Sequence, residues 1–212
     1  MTDQRIAART VGGFLDAVAS DAPTPGGGAV AGVAGATAAA LVSMVGRLTA
    51  GKQGFEEVDA RMRELMAAAE VARAELLELA DRDAHAFDGV MAAFKMPKDS
   101  DEQKAERSAA IQAGYADAAR VPLETAEKSV ALMELAREVT ATGNPQAASD
   151  GLSAAASAYC AAICAIANVE INAASLKDDV TRVAMIDRTA SLRAHADQLL
   201  REAATAFQLR LG

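Results

Sequence analysis

The sequence contains no tryptophan, and aromatic residues make up only 3% of its 212 residues. Aromatic and β-branched residues favour strands, so their scarcity argues against a sheet protein. The hydrophobic fraction of 51% is carried by Ala, Leu, Val and Met, which favour helices. A chain of this length forms one sizeable core. The sequence therefore predicts a single all-α domain over residues 1–212.

Basic residues and cysteines are also few. The chain has 21 Lys and Arg against 29 Asp and Glu, a net charge of −8, and no basic cluster, so we expect no nucleic-acid partner. Its two cysteines, Cys160 and Cys164, lie four apart in an apolar run, which predicts small buried thiols on one helix face. Neither His85 nor His195 has a ligand spacing with them, so we expect no metal site.

The N-terminal residues 1–9 are polar and charged, so we expect no signal peptide and a cytoplasmic protein. An uncharged run at residues 22–46 is long enough to cross a membrane. It opens with two prolines and three glycines and continues mostly as Ala and Gly, which gain little from lipid. We therefore expect a helix buried inside the protein and no membrane partner.

The hydrophobic pattern predicts a bundle of about seven helices around two Ala-rich central ones. Pro122 is expected to break or kink one helical stretch. Small residues at Gly28, Gly32, Ala36 and Ala40 predict close packing against another helix. The predicted helices cover residues 11–19, 28–48, 55–94, 101–120, 123–142, 151–176 and 178–211.

Asp83 interrupts an apolar seam in the helix at residues 55–94. From Val58 to Val90, apolar residues are spaced alternately four and three apart, and Asp83 occupies one of these positions. A buried carboxylate is costly unless it is paired, hydrogen-bonded or used in function. Two interpretations stay open here: an Arg from another helix neutralises Asp83, or Asp83 belongs to a functional site.

Three other polar or glycine-rich features are candidates for a site. The Pro-Thr-Pro-Gly-Gly-Gly loop at residues 23–28 leads into a helix N-terminus, whose N–H groups bind anions or polarised carbonyls. The alternative is a tight turn between packed helices. Lys52, in a Gly-bracketed turn, either meets an anionic ligand or is solvated. Asp150, at the start of an uncharged helix, either caps that helix or lines a pocket.

Several short motifs occur together along the chain. They are Pro-Thr-Pro-Gly-Gly-Gly-Ala-Val-Ala at 23–31, Ala-Leu-Val-Ser-Met-Val at 40–45, Leu-Thr at 48–49, Gly-Lys at 51–52, Asp-Ala-His-Ala-Phe-Asp at 83–88, Met-Pro-Lys at 96–98, Val-Pro-Leu at 121–123, Gly-Asn at 143–144 and Ser-Asp at 149–150. In content and order they resemble the C-terminal domain of the formiminotransferase-cyclodeaminase family, over almost the whole chain.

This resemblance implies an all-helical fold, a homodimer or higher homo-oligomer, and no metal or redox cofactor. In its length and in residues 41–52 the chain is most similar to the stand-alone methenyltetrahydrofolate cyclohydrolases of that family. The activity it implies is hydrolysis of 5,10-methenyltetrahydrofolate, a folate, to 10-formyltetrahydrofolate. The alternatives are a formimidoyltetrahydrofolate cyclodeaminase, which releases ammonia, and a non-enzymatic helical interaction module.

The resemblance also implies roles for particular residues. Asp83 is the expected catalytic carboxylate, which stabilises the cationic substrate and accepts a proton from water. Lys52 or Asp150 is expected to assist proton movement at the departing nitrogen. The expected substrate-binding residues are Pro25, Gly26, Gly27, Gly28 and Asn144 for the pterin or amide portion, and Lys95 and Lys98, with Lys52, for the glutamate tail.

Overall fold

The computed structural model describes residues 5–211, and this part of the chain contains six α-helices and no strand. A short 3₁₀ turn at Ile6–Ala8 precedes the first helix, and two others at Glu56–Val58 and Pro145–Ala147 lie between helices. The all-α prediction is confirmed. The helices are α1 (Val11–Val18), α2 (Gly27–Thr49), α3 (Asp59–Phe94), α4 (Asp101–Thr142), α5 (Ala148–Ala173) and α6 (Asp179–Arg210).

The five long helices form an antiparallel bundle in which each helix packs beside the next one along the chain. Gly28 near the start of α2 adjoins Asp83 late in α3, whereas Gly46 near the end of α2 adjoins Met66 early in α3. The helices α2 and α5 also pack side by side, and α4 lies behind both of them. One end of the bundle therefore carries the start of α2 and the end of α5.

Small residues allow α2 and α3 to approach closely. A Cβ on Gly32 would lie 2.7 Å from the Leu76 carbonyl oxygen and 2.8 Å from the Cβ of Ala80, so only glycine fits there. Gly28, Gly32 and Ala36 are all buried. The predicted small-residue stripe therefore packs within the chain, although its fourth member, Ala40, is exposed.

The predicted break at Pro122 is wrong, because α4 runs without interruption from Asp101 to Thr142. Proline has no N–H, so the carbonyl oxygen of Ala118, four residues earlier, loses its usual helical donor. The side chain of Asn172 on α5 supplies a replacement, with its Nδ2 2.9 Å from that oxygen. Two predicted helices are thus one, and the described part of the chain has six helices where about seven were expected.

The start of α5 also differs from the prediction. One interpretation made Asp150 the cap of a helix beginning at residue 151, but α5 begins at Ala148 without a side-chain cap. It continues directly from the turn Pro145–Ala147, where the Asn144 side chain accepts a hydrogen bond from the Gln146 N–H. The earlier 3₁₀ turn carries the chain into α5, so no capping residue is needed.

Two stretches, α2 and residues Pro145–Ala173, are long and apolar enough to cross a membrane by length and composition. Within the bundle, 61% of the apolar window is buried in the first stretch and 44% in the second. Apart from Arg47, Asp150 and Glu170, their unburied positions carry uncharged side chains, and we call a set of these positions the uncharged face. They are Val30, Val33, Thr37, Ala40, Leu41, Met44 and Leu48 on α2, and Ser149, Ser153, Ala156, Cys160, Ile163, Ala167 and Ile171 on α5.

Cys160 belongs to the uncharged face of α5, and Cys164 follows one helical turn later. Cys164 is half-buried, but Cys160 is exposed, so the prediction that both thiols are buried is wrong for Cys160. A helix in the outer layer of the bundle buries only one side, and position 160 falls on its outer side. Burial, the largest cause, and the neighbouring Cys160 both raise the pKa of the Cys164 thiol.

Candidate active site

A cleft of about 340 Å³ opens at the end of the bundle where α2 begins. This volume lies in the range of small-molecule binding pockets. Four helices and the loop before α2 contribute to its walls. The lining residues are Pro23, Thr24, Gly26, Gly27, Asp83, Phe87, Tyr115, Ala118, Asn168, Ile171, Asn172 and Ser175.

Among residues 5–211, Asp83 alone contributes a carboxylate to the lining of this cleft. Its three terminal atoms would lie 2.1–2.4 Å from a Cβ on Gly28, so the carboxylate lies directly against the glycine backbone. The Ala29 N–H, in the first turn of α2, donates a hydrogen bond to it. None of the salt bridges within residues 5–211 involves Asp83, which argues against the interpretation that an Arg neutralises it.

Burial raises the pKa of Asp83 above its ordinary value, and the hydrogen bond from the Ala29 N–H opposes that shift. A carboxylate with a raised pKa is a stronger base than one in water, and such groups concentrate at functional sites. The start of α2 also stabilises negative charge through its exposed N–H groups and helix dipole. The site therefore holds a carboxylate that can accept a proton and attract a cation.

The glycine-rich loop allows this close approach. Gly26 and Gly27 line the cleft, and a Cβ on Gly27 would lie 3.1 Å from the Nδ2 atom of Asn168. Both interpretations of the loop from sequence therefore hold in part. Gly28 is needed because helices pack tightly there, and the N–H of Ala29 does bind an anion, although that anion is the Asp83 carboxylate of the same chain.

Pro25 is buried and lies on the far side of the loop from this cleft. It lines a neighbouring cavity of about 320 Å³, together with Arg9, His85 and Asp88. Thr24 lines both cavities. A ligand longer than the cleft therefore has a path across Thr24, and Arg9 offers a positive charge on the other side.

Two asparagines that sequence reasoning missed form one wall of the cleft. Asn168 donates through Nδ2 to the Cys164 carbonyl oxygen at 2.8 Å. Asn172 donates through Nδ2 to the carbonyl oxygens of Ala118 at 2.9 Å and of Asn168 at 2.8 Å. The sequence signal that could have identified them is their spacing. Two amide side chains four residues apart share one face of a helix.

Aromatic rings form another part of the cleft wall. Phe87 on α3 and Tyr115 on α4 both line it. Tyr115 is held by an edge-to-face contact with Phe94, with ring centroids 6.3 Å apart. Flat aromatic walls suit a flat heterocyclic ligand. At the rim, Ile171 is 71% exposed and belongs to the uncharged face.

Three predicted site residues lie at the opposite end of the bundle. Lys52 and Asn144 follow the C-termini of α2 and α4, and Asp150 lies at the start of α5. The length of α2 separates this end from Asp83 by roughly 33 Å. Within one chain, neither Lys52 nor Asp150 reaches the substrate beside Asp83, so the prediction that they assist Asp83 is not supported by this geometry.

These three residues have other surroundings. Lys52 is exposed and lines a separate cavity with Asp59 and Arg63. The Asn144 N–H donates to the Thr49 hydroxyl at 2.9 Å and its side-chain amide donates to the Leu48 carbonyl at 3.2 Å, so Asn144 joins the turn after α4 to the end of α2. Binding of the pterin portion by Asn144 is therefore incompatible with a pterin beside Asp83 of the same chain.

Lys95 and Lys98 are exposed and follow the C-terminus of α3. Neither lines the cleft. Lys95 lies twelve residues beyond Asp83 on the same helix axis, or roughly 18 Å away. Binding of a long glutamate tail by these lysines stays a prediction.

The fold and the cleft define a class of protein. A helical bundle that holds an unpaired, half-buried carboxylate among uncharged and aromatic groups has the features of a small-molecule enzyme using acid–base chemistry. The family model described as formiminotransferase-cyclodeaminase matches residues 10–191. The chain belongs to this family, as its motifs predicted.

Named relatives lie on both branches of the family. The chain is 43% identical to a methenyltetrahydrofolate cyclohydrolase of Methylorubrum extorquens, over 80% of this chain and 81% of that protein. It is 39% identical to a formimidoyltransferase-cyclodeaminase of Sus scrofa over 84% of this chain, which spans only 33% of that longer protein. The crystal structure of a formiminotetrahydrofolate cyclodeaminase from Thermotoga maritima superposes with a TM-score of 0.86 at 31% identity, covering 96% of this chain and 98% of that one.

Proposed function

We propose that this protein hydrolyses 5,10-methenyltetrahydrofolate to 10-formyltetrahydrofolate. The observation that carries the proposal is the Asp83 carboxylate, which is half-buried in a cleft of ring size and has no basic partner among residues 5–211. Methenyltetrahydrofolate is a cyclic amidinium, so a positive substrate supplies the charge that the protein does not. The 43% identity to a methenyltetrahydrofolate cyclohydrolase over 81% of its length supports the same activity.

The reaction needs one group that takes a proton and returns it. Water adds to the electrophilic bridge carbon and passes one proton to the Asp83 carboxylate. The adduct then collapses: the bond from carbon to N5 breaks, N5 takes the proton from Asp83, and the hydroxyl proton leaves to solvent as the formyl group forms. Because one carboxylate serves as both base and acid, this route does not require Lys52 or Asp150.

Cyclodeamination of 5-formimidoyltetrahydrofolate is the second candidate activity. It is favoured by the crystal structure of the Thermotoga maritima formiminotetrahydrofolate cyclodeaminase, which covers almost the whole chain. That reaction closes the same ring and expels ammonia, and it requires a carboxylate next to the same bridge carbon. Both reactions act on the same bridge carbon, so the residues of the cleft do not distinguish the two substrates.

One assay separates the two activities. The purified protein is given each substrate in turn, and the near-ultraviolet band of methenyltetrahydrofolate is followed while ammonia is measured. A cyclohydrolase removes that band and releases no ammonia; a cyclodeaminase produces the band from 5-formimidoyltetrahydrofolate with one ammonia per turnover. Activity with neither substrate would overturn both candidates and leave the interaction module.

We further propose that the reaction needs no metal or redox cofactor, since the amidinium carbon is already electrophilic and no electron is transferred. Within residues 5–211, no three His, Cys, Asp or Glu side chains are grouped as metal ligands. Dialysis against a strong chelator is expected to leave activity intact, and a loss restored by added metal would contradict this. The acidic composition and the burial within α2 support a cytoplasmic protein without nucleic-acid or membrane partners.

The oligomeric state we propose is a homodimer. The apolar seam and most of the small-residue stripe are buried inside the chain, so they do not form its interface. The uncharged face supports the dimer instead. Two helices about 35 Å long and about 10 Å apart offer roughly 700 Å², close to the 800 Å² per partner of a standard interface.

A further inference from the structure

We propose that the side-chain oxygens of Asn168 and Asn172 recognise the ring N–H groups of the substrate, and thereby position its bridge carbon beside Asp83. This inference rests on the proposed folate substrate. It assigns to two residues a specificity role that the motifs along the chain did not indicate.

The orientation of the Asn172 amide is determined by its neighbours. Its nitrogen lies between the carbonyl oxygens of Ala118 and Asn168, at 2.9 and 2.8 Å. An oxygen in that place would face two other oxygens, so the Nδ2 must lie there, and both of its hydrogens are used. Only Oδ1 remains to interact with a ligand in the cleft.

Pro122 makes this arrangement possible. In a regular helix the Ala118 carbonyl would accept the N–H of residue 122, but proline has none. The freed carbonyl accepts from Asn172 instead. A proline buried within α4 thus determines which end of an amide on α5 is presented to the cleft.

Asn168 is oriented by one such hydrogen bond instead of two. Its Nδ2 donates to the Cys164 carbonyl oxygen at 2.8 Å and lies close to Gly27. Within residues 5–211, no donor bonds to the Oδ1 of either asparagine. Both residues line the cleft, and they lie on one face of α5 because they are four residues apart.

The cleft therefore presents three fixed acceptors: the Asp83 carboxylate and the two amide oxygens. The hydroxyl groups in its wall, those of Thr24, Tyr115 and Ser175, either donate or accept. A ligand that matches this wall carries N–H donors on a flat ring. The pterin ring has two such groups side by side, the 2-amino group and N3–H.

The test compares two probes that differ only at the 2-amino group. Dissociation constants are measured by calorimetry for 5-formyltetrahydrofolate and for its 2-desamino-2-methyl analogue, with the wild-type protein, Asn168→Ala and Asn172→Ala. We expect the wild type to prefer the amino compound by about three- to tenfold, the worth of one or two ordinary hydrogen bonds. In at least one variant the preference is expected to fall below about twofold. If a substitution weakens binding of both probes equally, the ratio of their two dissociation constants does not change.

Gln112→Ala is the matched control. The Gln112 amide also hydrogen-bonds to the backbone: it donates to the Ser175 carbonyl and accepts from the Lys177 N–H. Gln112 does not line the cleft. It is expected to keep the wild-type preference.

A preference unchanged in both asparagine variants, or absent in the wild type while methenyltetrahydrofolate is hydrolysed, overturns this inference alone. A wild-type protein that neither binds the two probes nor turns over either substrate overturns the proposed function together with this inference.

Discussion

At the scale of single residues, the proposed activity depends on the ionisation of the Asp83 carboxylate. Burial disfavours the carboxylate, whereas the Ala29 N–H and the start of α2 favour it. No basic side chain within the described residues neutralises the Asp83 carboxylate. A cationic substrate is therefore the natural partner, and its binding relieves the cost of the buried charge.

Asp83→Asn is expected to lower turnover by about a hundredfold or more, the usual loss when a general base is removed. The variant should remain as stable as the wild type within about 1 kcal/mol, because the Asn oxygen still accepts from Ala29 and no buried charge remains. Turnover of methenyltetrahydrofolate and thermal unfolding measure the two effects. A strongly lowered melting temperature with near-normal specific activity would show that Asp83 is structural.

The raised pKa of Asp83 also predicts a pH dependence of stability. Between the ordinary value of 3.8 and the raised value in the folded protein, the folded state binds a proton that the unfolded state has lost. The free energy of unfolding contributed by this group therefore falls as pH rises through that window. Asp83→Asn cannot titrate there, so its stability relative to wild type should increase as pH rises. The melting temperatures of both proteins are measured from acid to neutral pH. A constant difference between wild type and Asp83→Asn over this range would contradict the prediction.

Gly28→Ala tests the close contact between loop and carboxylate. The new Cβ would lie within 2.4 Å of all three terminal atoms of Asp83, so the carboxylate must move away. We expect turnover to fall by about tenfold or more, at a cost of about 1–3 kcal/mol in stability. Gly89→Ala on α3 is the control, since nothing lies within 4 Å of its Cβ, and it should retain full activity.

At the scale of elements, the close approach of α2 and α3 positions Asp83 over the start of α2. Glycine on α2 makes that approach possible, and Leu76 and Ala80 on α3 occupy the space that a side chain would need. The distance between these two helices thus determines whether Asp83 reaches the Ala29 N–H.

Gly32→Ala is therefore expected to destabilise the protein by about 1–3 kcal/mol, although alanine normally favours a helix. Its Cβ would clash with the backbone oxygen of Leu76, which cannot move without shifting α3. Denaturant unfolding measures the loss. Gly12→Ala in α1, where a Cβ meets nothing within 4 Å, should be neutral or stabilising. Equal stability of both variants would show that the helices separate easily.

At the scale of the whole molecule, the uncharged face differs from the rest of the surface in its lack of charged side chains. Elsewhere the long helices carry salt bridges, such as Arg61 with Glu138 and Arg188 with Glu127. The uncharged face has none and includes Met44 and Leu48, whereas Arg47 and Glu170 on the same two helices pair with Glu70 and Arg193. A contiguous surface without charge on an acidic protein is typical of an interface.

Thr37→Arg and Ala156→Arg place a charge in the middle of the uncharged face. Because both positions are exposed, each variant should fold, whereas burying an arginine in a dimer interface is costly. Sedimentation at micromolar concentration is expected to show a dimer for the wild type and a monomer for the variants. Ala74→Arg, exposed on α3, is the control and should remain dimeric. A monomeric wild type, or dimeric variants, would assign the uncharged face another role.

The fold was largely predictable from periodicity. Apolar spacing located α3 and its seam, in which Met62, Leu65 and Leu76 are buried as expected. Proline propensity misplaced the break at Pro122, because a side chain of another helix satisfies the carbonyl that proline leaves free. Asp83 was recognisable because a carboxylate in an apolar seam is costly. Asn168 and Asn172 were not, because a polar residue on a helix surface is ordinary until its neighbours are known.

The sequence by itself determined the helical class, the seam and the family, because these depend on residue type and on spacing along one chain. Only the tertiary structure decided which candidate residues meet. Lys52 and Asp150 had the right chemistry, but the length of α2 separates them from Asp83 by roughly 33 Å. Asn172 reaches the cleft because α5 runs antiparallel to α2 and beside α4. Contacts between residues of different helices depend on the order and direction in which the helices pack, and no local sequence pattern specifies these.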